Sequence, residues 1–434
     1  MGRPPQRTQL KVRGTFDRLK QNDLLLHGAI VFIGLGVANV FNYLYYMLAG
    51  RVLGVEAYGE LTSLTSALLT LAAPANVAQI IVARLTADLS ASNNHSALAR
   101  LSRATMSITW TVTLLVVAAG VLFRDPVAAF FHSTPLPVIT TTAALGAYLV
   151  ITVQRGILQG SHRFGALSAS YVIEGLVRLG VGIPLAVSHG ALGGLVGAAI
   201  GGVACLAYNL WALRSVARRT GGPIGFDLKR IMHITAHIGL AQFTLTALAF
   251  YDVALVRHVF DARSAGLYAA AALVGRAMSG MLQFVPTVIM PKATARTSTG
   301  ASALPLLGIG VGLSAALAGL VALIAGLAPG ELAAVFAGNA FRDAAPLVLP
   351  YVLAAAALGI ANVVAAYQIG LHRYWFVVPS TVIATVEVTI NASWHPSTLI
   401  FVAVLLGGHV AFLASTFIGV SGRQRREEFS RPAS

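Results

Sequence analysis

The stretch YVIEGLVRLGVGIPLAV, residues 171–187, is apolar except for two opposite charges, Glu174 and Arg178. They lie four positions apart, the spacing at which two side chains meet on one face of a helix. More apolar sequence flanks the stretch on both sides. A charge at the centre of a bilayer costs roughly 2.5–3.5 kcal/mol on insertion scales, so it needs a partner or a water-filled cavity. The stretch therefore predicts a membrane helix that faces a polar interior.

The composition of the whole chain supports this interpretation. The 434 residues are 56% hydrophobic and 10% charged, whereas soluble domains are roughly 45–50% apolar and 25% charged. The formal charge of +15 would suit a nucleic-acid partner, but the basic residues lie between apolar runs and not on a soluble domain. We therefore expect an integral membrane protein with no nucleic-acid partner. The single cysteine, Cys205, excludes an intramolecular disulfide.

The apolar runs predict twelve transmembrane helices. A bilayer core needs about 20 apolar residues per helix, and the runs lack the strict alternation of barrel strands. The predicted spans are 24–49, 60–82, 104–123, 136–158, 167–187, 191–213, 231–257, 266–290, 302–328, 344–370, 375–391 and 397–420.

The distribution of basic residues predicts the orientation. Most of the 30 Lys and Arg residues fall in segments that are inner if the N-terminus is cytoplasmic. We count two inside the membrane, Arg178 and Arg276, and the outer loops hold Arg51, Arg124, Arg257, Arg263 and Arg342. The positive-inside rule then predicts a multi-pass protein of the plasma (inner) membrane with both termini cytoplasmic.

The chain divides near its midpoint. Residues 214–230, RSVARRTGGPIGFDLKR, combine basic residues with a Gly-Gly-Pro break and predict a cytoplasmic linker. Gly59 to Arg84 in the first half matches Gly266 to Lys292 in the second half in spacing, which predicts an internal duplication. Since six spans return the chain to its starting side, the repeats are parallel. The predicted fold is an all-α polytopic membrane protein of two six-helix bundles, with a basic N-terminus (1–23), an N-terminal lobe (24–213), the linker (214–230), a C-terminal lobe (231–420) and a basic tail (421–434).

One motif resembles a known family. The first span ends in Arg51-Val-Leu-Gly54, a short turn GVEAYGEL follows, and the second span closes on Arg84. This pattern, within residues 24–88, resembles the polysaccharide or oligosaccharide flippases (O-antigen flippase branch) of the multidrug/oligosaccharidyl-lipid/polysaccharide exporter superfamily. The similarity extends over the whole chain in span number and duplication. Lipid II flippases of peptidoglycan synthesis are a weaker match, because they carry two further C-terminal helices.

The resemblance implies a function. It implies two lobes that face a central cavity, alternating access, and movement of an undecaprenyl- or polyprenyl-diphosphate-linked oligosaccharide from the inner to the outer leaflet. The implied partners are this lipid-linked glycan, the lipid bilayer and proteins of polysaccharide assembly.

Arg178 and Arg276 are the candidate ligands for the anionic headgroup. Both lie near the middle of their predicted spans, and a planar, permanently charged guanidinium suits a diphosphate. Glu174 could instead neutralise Arg178, and Arg276 could pair with Glu174, Asp252 or Glu387. We hypothesise that Glu174 pairs with Arg178 in the empty transporter and releases it when the headgroup arrives.

Two further acidic residues lie inside predicted spans. Asp252 is a candidate for coupling transport to H⁺ or Na⁺, because a buried carboxylate can bind either ion; the alternative is a structural hydrogen-bonding role or exposure at the outer surface. For Glu387 we favour a structural role or exposure at the outer surface. No other cofactor is expected.

Four amides occupy the middle of the first two spans, beside a bend expected at Pro74. They could line the cavity and bind sugar hydroxyls, although hydrogen bonds between helices are an equally simple role. The four are Asn39, Asn42, Asn76 and Gln79.

The remaining motifs argue against other functions. No phosphate-binding P-loop is present, and His233 and His237 lack the glutamate of a zinc-protease motif, so we expect neither ATP hydrolysis nor a metal site. A membrane glycosyltransferase needs an acidic cluster at the surface, whereas the outer acidic residues here are scattered. A multidrug antiporter for organic cations stays open as the main alternative. The chain is therefore predicted to be a transporter and not an enzyme.

Overall fold

The computed structural model describes residues 6–217, 228–298 and 302–420, and this part of the chain is helical, with no strand. Most of the predicted linker and the whole basic tail lie outside the described residues. The N-terminal half contains α1 Gln6–Leu71, α2 Ala73–Ala91, α3 His95–Leu122, α4 Arg124–Phe130, α5 Pro135–Gly160 and α6 Phe164–Ala217. The C-terminal half contains α7 Leu228–Val259, α8 Ala262–Leu282, α9 Phe284–Ser298, α10 Leu304–Leu327, α11 Pro329–Ala337, a 3₁₀ helix Asn339–Ala344, α12 Ala345–Gly370, α13 Val377–Ser393 and α14 Thr398–Thr416.

These helices supply the twelve predicted spans within the described residues. In the described part of the chain, nine helical segments are long and apolar enough to cross a membrane, and Val377–Ser393 is a shorter apolar helix. Two of the nine, Ile30–Leu71 and Phe164–Ser215, are 42 and 52 residues long. Each of these contains a break and therefore holds two spans. The predicted fold of two parallel six-helix halves is confirmed.

Glycines make the two breaks. Gly54 has φ 73° inside α1, and Gly190 has φ 61° inside α6. Both angles lie in the left-handed region that L side chains rarely adopt. Each glycine therefore reverses the chain between two spans without a long loop.

The second span of each half is interrupted. In the N-terminal half α1 ends at Leu71 and α2 begins at Ala73, just before Pro74, as the sequence predicted. In the C-terminal half α8 ends at Leu282 and α9 carries Pro286 in its first turn. Proline cannot donate the helical hydrogen bond and clashes with the preceding turn, so both spans break at these points.

A second repeated motif marks the duplication. The sequences GSHRF at 160–164 and GLHRY at 370–374 occupy equivalent turns, after α5 and after α12. His162 and His372 share the same left-handed φ of 55°. The arginine that follows each histidine donates to a main-chain carbonyl of a later helix end, from Arg163 to Ala212 and from Arg373 to Val420. The two halves therefore repeat a local structure and not only a helix count.

Small residues allow the central helices to pack closely. Residues 269–272 of α8 and 354–357 of α12 are all alanine and all buried. Small side chains let helix backbones approach, which is how helices associate in lipid where the hydrophobic effect is weak. The helices α8 and α12 therefore pack closely on the C-terminal side of the molecule's centre.

The two halves meet at the end of the bundle that carries Arg51 and Arg257. We call this the outer end, after the orientation predicted from the basic residues. Gly59 of α1 lies against Gly266 of α8, where an added Cβ would be 2.9 Å from the Gly266 nitrogen. Tyr58 packs edge-on against Phe341 of the other half, with ring centroids 5.2 Å apart. These contacts close the centre of the molecule at its outer end.

Candidate functional site

A cavity of about 440 Å³ lies between the two halves. Its walls come from α1, α5 and α6 on one side and from α7, α8, α12 and α14 on the other. The N-terminal wall carries most of the polar side chains. The polar lining residues include Asn39, Asn42, Tyr43, Tyr46, Tyr148, Arg155, Tyr171, Glu174, Arg178, Gln242, Arg276, Tyr351, Asn362 and His409.

Arg178 lines this cavity and is held by neutral groups. Its guanidinium donates to Asn42 Oδ1 at 3.1 Å and to the Tyr46 hydroxyl at 2.8 Å. Its Cζ lies 4.3 Å from the ring centroid of Tyr45 and 4.9 Å from that of Tyr46. Among the described residues no carboxylate is within ion-pair distance of Arg178. The cation is therefore oriented by aromatic faces and an amide, and it makes no ion pair with a described carboxylate.

The predicted pair between Glu174 and Arg178 is not formed, which corrects the sequence hypothesis. Glu174 instead accepts from Arg155 of α5 at 2.6 Å. The i, i+4 spacing permits the local pair but does not require it, because Arg178 is turned toward the tyrosines of α1. Glu174 therefore serves as the counter-ion of a neighbouring helix.

Arg155 is a cavity-lining cation that the sequence analysis missed. It was counted among the inner basic residues, yet it lies inside α5 and is 3% exposed. Besides Glu174, it donates to the Ser170 hydroxyl at 3.0 Å and to the Ser170 carbonyl at 3.1 Å. Its position within the predicted span 136–158 was the available signal.

Arg276 lines the opposite wall and pairs with Asp252. The two are 3.1 Å apart, and Asp252 is fully buried. This partner was among the three alternatives considered from the sequence. Arg276 also donates to the Ser66 hydroxyl of the N-terminal half at 3.0 Å, and its carbonyl accepts from Tyr43 at 2.8 Å. Arg276 therefore connects the two halves.

Both oxygens of Asp252 are occupied by protein donors. Oδ1 accepts from Arg276, and Oδ2 accepts from the hydroxyls of Tyr268 at 3.1 Å and Tyr351 at 2.7 Å. A carboxylate with these three donors is well suited to hold a guanidinium in one orientation. The geometry favours this role for Asp252 over the ion-coupling role expected from the sequence.

We expect Asp252→Asn to destabilise the protein by about 2 kcal/mol, the size of a lost charge-assisted hydrogen bond. The loss is moderate because Arg276, with 22% of its side chain exposed, can still be hydrated from the cavity. Thermal unfolding in detergent measures it. Asp343→Asn is the matched control, because the Asp343–Arg263 pair is on the surface with 66% and 58% of the two side chains exposed and should change stability little. Equal melting temperatures for the two variants would contradict a structural role for Asp252.

The four amides divide into two pairs. Asn39 and Asn42 line the cavity. Asn76 and Gln79 are not among its lining residues within the described chain. Asn76 accepts from the Tyr148 hydroxyl at 3.3 Å, and Gln79 donates to that of Tyr171 at 3.4 Å. Both tyrosines line the cavity. Asn76 and Gln79 therefore orient cavity-lining side chains without lining the cavity themselves.

A second polar cluster is buried in the C-terminal half. Glu387 is 2% exposed, so of the two roles considered from the sequence, a structural role and exposure at the outer surface, the second is excluded. It accepts from the Tyr251 hydroxyl at 2.7 Å, and His409 Nε2 of α14 lies 3.5 Å from the carboxylate. Oε2 of Glu387 and Nε2 of His409 have no hydrogen-bond partner among the residues that the structure describes. His409 was missed, although an ionisable residue inside the last span is a signal in itself.

No metal site is found in the described part of the chain. Within residues 6–217, 228–298 and 302–420, no group of three or more His, Cys, Asp or Glu side chains could hold a metal ion.

Comparison with known proteins identifies the fold. A family model described as "Polysaccharide biosynthesis protein" matches residues 99–303. A search of curated protein sequences finds no match. The structure is similar to a multidrug resistance MATE family transporter of the MOP superfamily in its inward-facing conformation, with a TM-score of 0.71, 12% identity, and coverage of 90% of this chain and 96% of that chain. Against the outward-facing conformation of a MATE transporter of the same superfamily the TM-score is 0.61, at 13% identity and coverage of 90% and 94%.

A lipid flippase has a similar fold. The lipid II flippase MurJ in an inward closed conformation matches with a TM-score of 0.68, 12% identity, and coverage of 90% of this chain and 87% of that chain. The resemblance to the exporter superfamily noted in the sequence is thereby confirmed. The family model covers less than half of the chain and the structural neighbours share its fold at low identity, so the comparisons leave the cargo undecided.

Proposed function

We propose that this protein, which has the fold of the MOP superfamily, is a flippase for a polyprenyl-diphosphate-linked oligosaccharide. The cargo is a precursor of a cell-envelope polysaccharide, and alternating access moves it from the inner to the outer leaflet of the plasma membrane. The observation that carries the proposal is Arg178, a guanidinium of the central cavity that makes no ion pair with any described residue.

The charge balance of the cavity supports an anionic cargo. Arg155 is balanced by Glu174, and Arg276 by Asp252. Arg178 is left with amide and aromatic contacts only, within the described residues. An oriented guanidinium with unbalanced charge is a good ligand for a diphosphate, whereas it would repel an organic cation. The multidrug alternative, suggested by the MATE-like fold, is less compatible with this cavity.

The neutral polar residues of the same wall support the glycan part of the cargo. Asn39 and Tyr43 line the cavity on either side of Asn42, which accepts from Arg178. Tyr171 also lines it, with its ring centroid 3.8 Å from Arg155 Cζ. Amides and tyrosines offer hydrogen bonds for hydroxyl groups together with an apolar face for a sugar ring. The headgroup and the first sugars would therefore be bound by one continuous surface.

The experiment that tests the function is leaflet-resolved transfer in sealed vesicles. The purified protein is reconstituted with a fluorescent polyprenyl-diphosphate oligosaccharide, and transfer is followed by quenching from outside. The matched substrate control is the same lipid and glycan with a neutral linker in place of the diphosphate. Each is measured without a gradient, with a pH gradient and with a Na⁺ gradient, because coupling to H⁺ or Na⁺ is part of the proposal.

We expect protein-dependent transfer of the diphosphate-linked lipid and little transfer of the neutral analogue. Gradient-dependent efflux of organic cations, without transfer of any of several lipid-linked glycans, would instead establish a multidrug antiporter and contradict the proposal.

A further inference from the structure

We propose that two arginines, Arg51 and Arg257, form a pair of latches that hold the outer end of the molecule closed. Each arginine belongs to one half and binds the C-terminal end of a short helix in the other half. The proposal rests on contacts between the halves and holds for any cargo.

The first latch joins Arg257 of α7 to the end of α4 in the N-terminal half. Its guanidinium donates to the carbonyl of Phe131 at 2.9 Å and to that of His132 at 3.1 Å. The carbonyls at a helix C-terminus lack intrahelical partners and carry partial negative charge, so a cation is stabilising there. Arg257 is 5% exposed, and its two bonds are therefore shielded from water.

Two histidines return hydrogen bonds across the same contact. The Nδ1 atom of His132 faces the Arg257 carbonyl at 3.1 Å, and that of His258 faces the Phe130 carbonyl at 3.0 Å. Since carbonyls only accept, each ring donates from Nδ1. The rings of Phe130 and His258 also stack with centroids 3.8 Å apart. The C-terminal ends of α4 and α7 therefore donate hydrogen bonds to each other in both directions.

The second latch has the same form with the halves exchanged. Arg51, at the end of the first span, donates to the Val335 carbonyl in the last turn of α11 at 2.6 Å. Its Nη1 donates to Met47 of its own helix, which fixes the side chain. Gly50 packs directly on the same helix end, where an added Cβ would lie 2.6 Å from the Ala337 carbonyl.

The two latches are related by the internal duplication. Arg51 and Arg257 are 206 positions apart, and so are His132 and Gly338, the residues at the ends of α4 and α11. His132 and Gly338 both have positive φ, at 46° and 110°. Gly59 and Gly266, which touch each other, are equivalent to within one position. The glycine contact and the two latches thus follow the same internal repeat.

This arrangement has a mechanical consequence. A half that moves away from the other at the outer end must break both latches, because each latch crosses between the halves. The latches differ in strength: Arg257 is buried and makes two bonds across the interface, whereas Arg51 is exposed and makes one. The Arg257 latch therefore contributes most of the resistance to opening.

The test measures access to the cavity from the outer side. Thr62 lines the cavity below the glycine contact and is 5% exposed. In Thr62→Cys protein, the rate of labelling by a membrane-impermeant maleimide reports opening of the outer end. Asp125→Cys, on the surface of α4 with 68% of its side chain exposed, identifies the side of the membrane from which the reagent must be applied. The native Cys205 is fully buried, so the parent protein is the blank.

We expect Arg257→Gln to raise the labelling rate about tenfold and Arg51→Gln about threefold. Both effects are modest because glutamine loses the charge but keeps an N–H donor, and the first is larger because Arg257 makes two bonds across the interface and Arg51 makes one. The double variant should exceed both. Arg342→Gln is the matched control, because Arg342 is also at the outer end but pairs with Glu331 of its own half. It should leave the rate unchanged.

Two outcomes would overturn the proposal. The first is labelling of the Arg51→Gln and Arg257→Gln proteins at the same rate as the Arg342→Gln protein. If Arg257→Gln fails to fold, Arg51→Gln still provides this comparison, because Arg51 is exposed. The second is labelling of Cys205 in the latch variants at the same rate as the cysteine introduced by Thr62→Cys. This would mean that the whole fold has loosened and not the outer end alone.

Discussion

Replacing Arg178 by methionine should reduce transfer of the diphosphate-linked lipid by about 30-fold, the effect of losing roughly 2 kcal/mol of charge-assisted hydrogen bonding to the headgroup. The effect is large because Arg178 is the cation of the cavity that no carboxylate balances within the described residues. Arg178→Lys should transfer at an intermediate rate, since lysine keeps the charge but loses the planar fork.

Two controls separate this effect from misfolding: the melting temperature of the Arg178→Met protein, and the same substitution at an arginine far from the cavity. Methionine fills similar space and leaves no buried charge behind, so Arg178→Met should melt close to the wild type. Arg124→Met makes the same chemical change at an exposed pair with Asp125, far from the cavity, and should transfer normally. If the folded Arg178→Met protein flips the lipid at the wild-type rate, Arg178 does not bind the headgroup.

The Glu174→Gln change should destabilise the protein by about 3 kcal/mol, at the lower end of the 3–5 kcal/mol expected when one partner of a buried ion pair is removed. The charge left behind is that of Arg155, with 4% of its side chain exposed. The lower end applies because a quarter of Glu174 is exposed to the cavity. Thermal unfolding in detergent measures the change.

A second substitution makes the cause testable. Since replacing both members of a buried pair by uncharged groups is often neutral, Arg155→Met combined with Glu174→Gln should recover at least half of the lost stability. Glu331→Gln breaks the exposed pair with Arg342, in which 61% and 54% of the side chains are exposed, and should have almost no effect. A Glu174→Gln protein that melts like the wild type would show that Arg155 does not depend on Glu174.

These two experiments also distinguish the observed pairing from the one expected in the sequence. If Glu174 were the partner of Arg178, its replacement would act mainly on headgroup affinity. With Arg155 as the partner, the main effect is on stability, and Arg178 can bind cargo in the Glu174→Gln protein that remains folded.

Several site residues could be found from the sequence because an intramembrane charge is costly and therefore conspicuous. Arg178, Arg276 and Asp252 were identified in this way. Arg155 was not, because it lies close to the end of its span, where basic residues are usually assigned to the inner loop. His409 was overlooked because a neutral histidine adds no formal charge to the count.

The sequence by itself determined the helices, the number of spans and the duplication, because each depends on local properties. Hydropathy over about 20 residues, glycines and prolines at the breaks, and repeated motifs need no knowledge of neighbours in space. Only the tertiary structure decided the partners. Glu174 binds Arg155 and not Arg178, and Arg51 and Arg257 each bind the opposite half. These contacts join different helices, and they depend on how each helix is rotated against its neighbours, which no local pattern specifies.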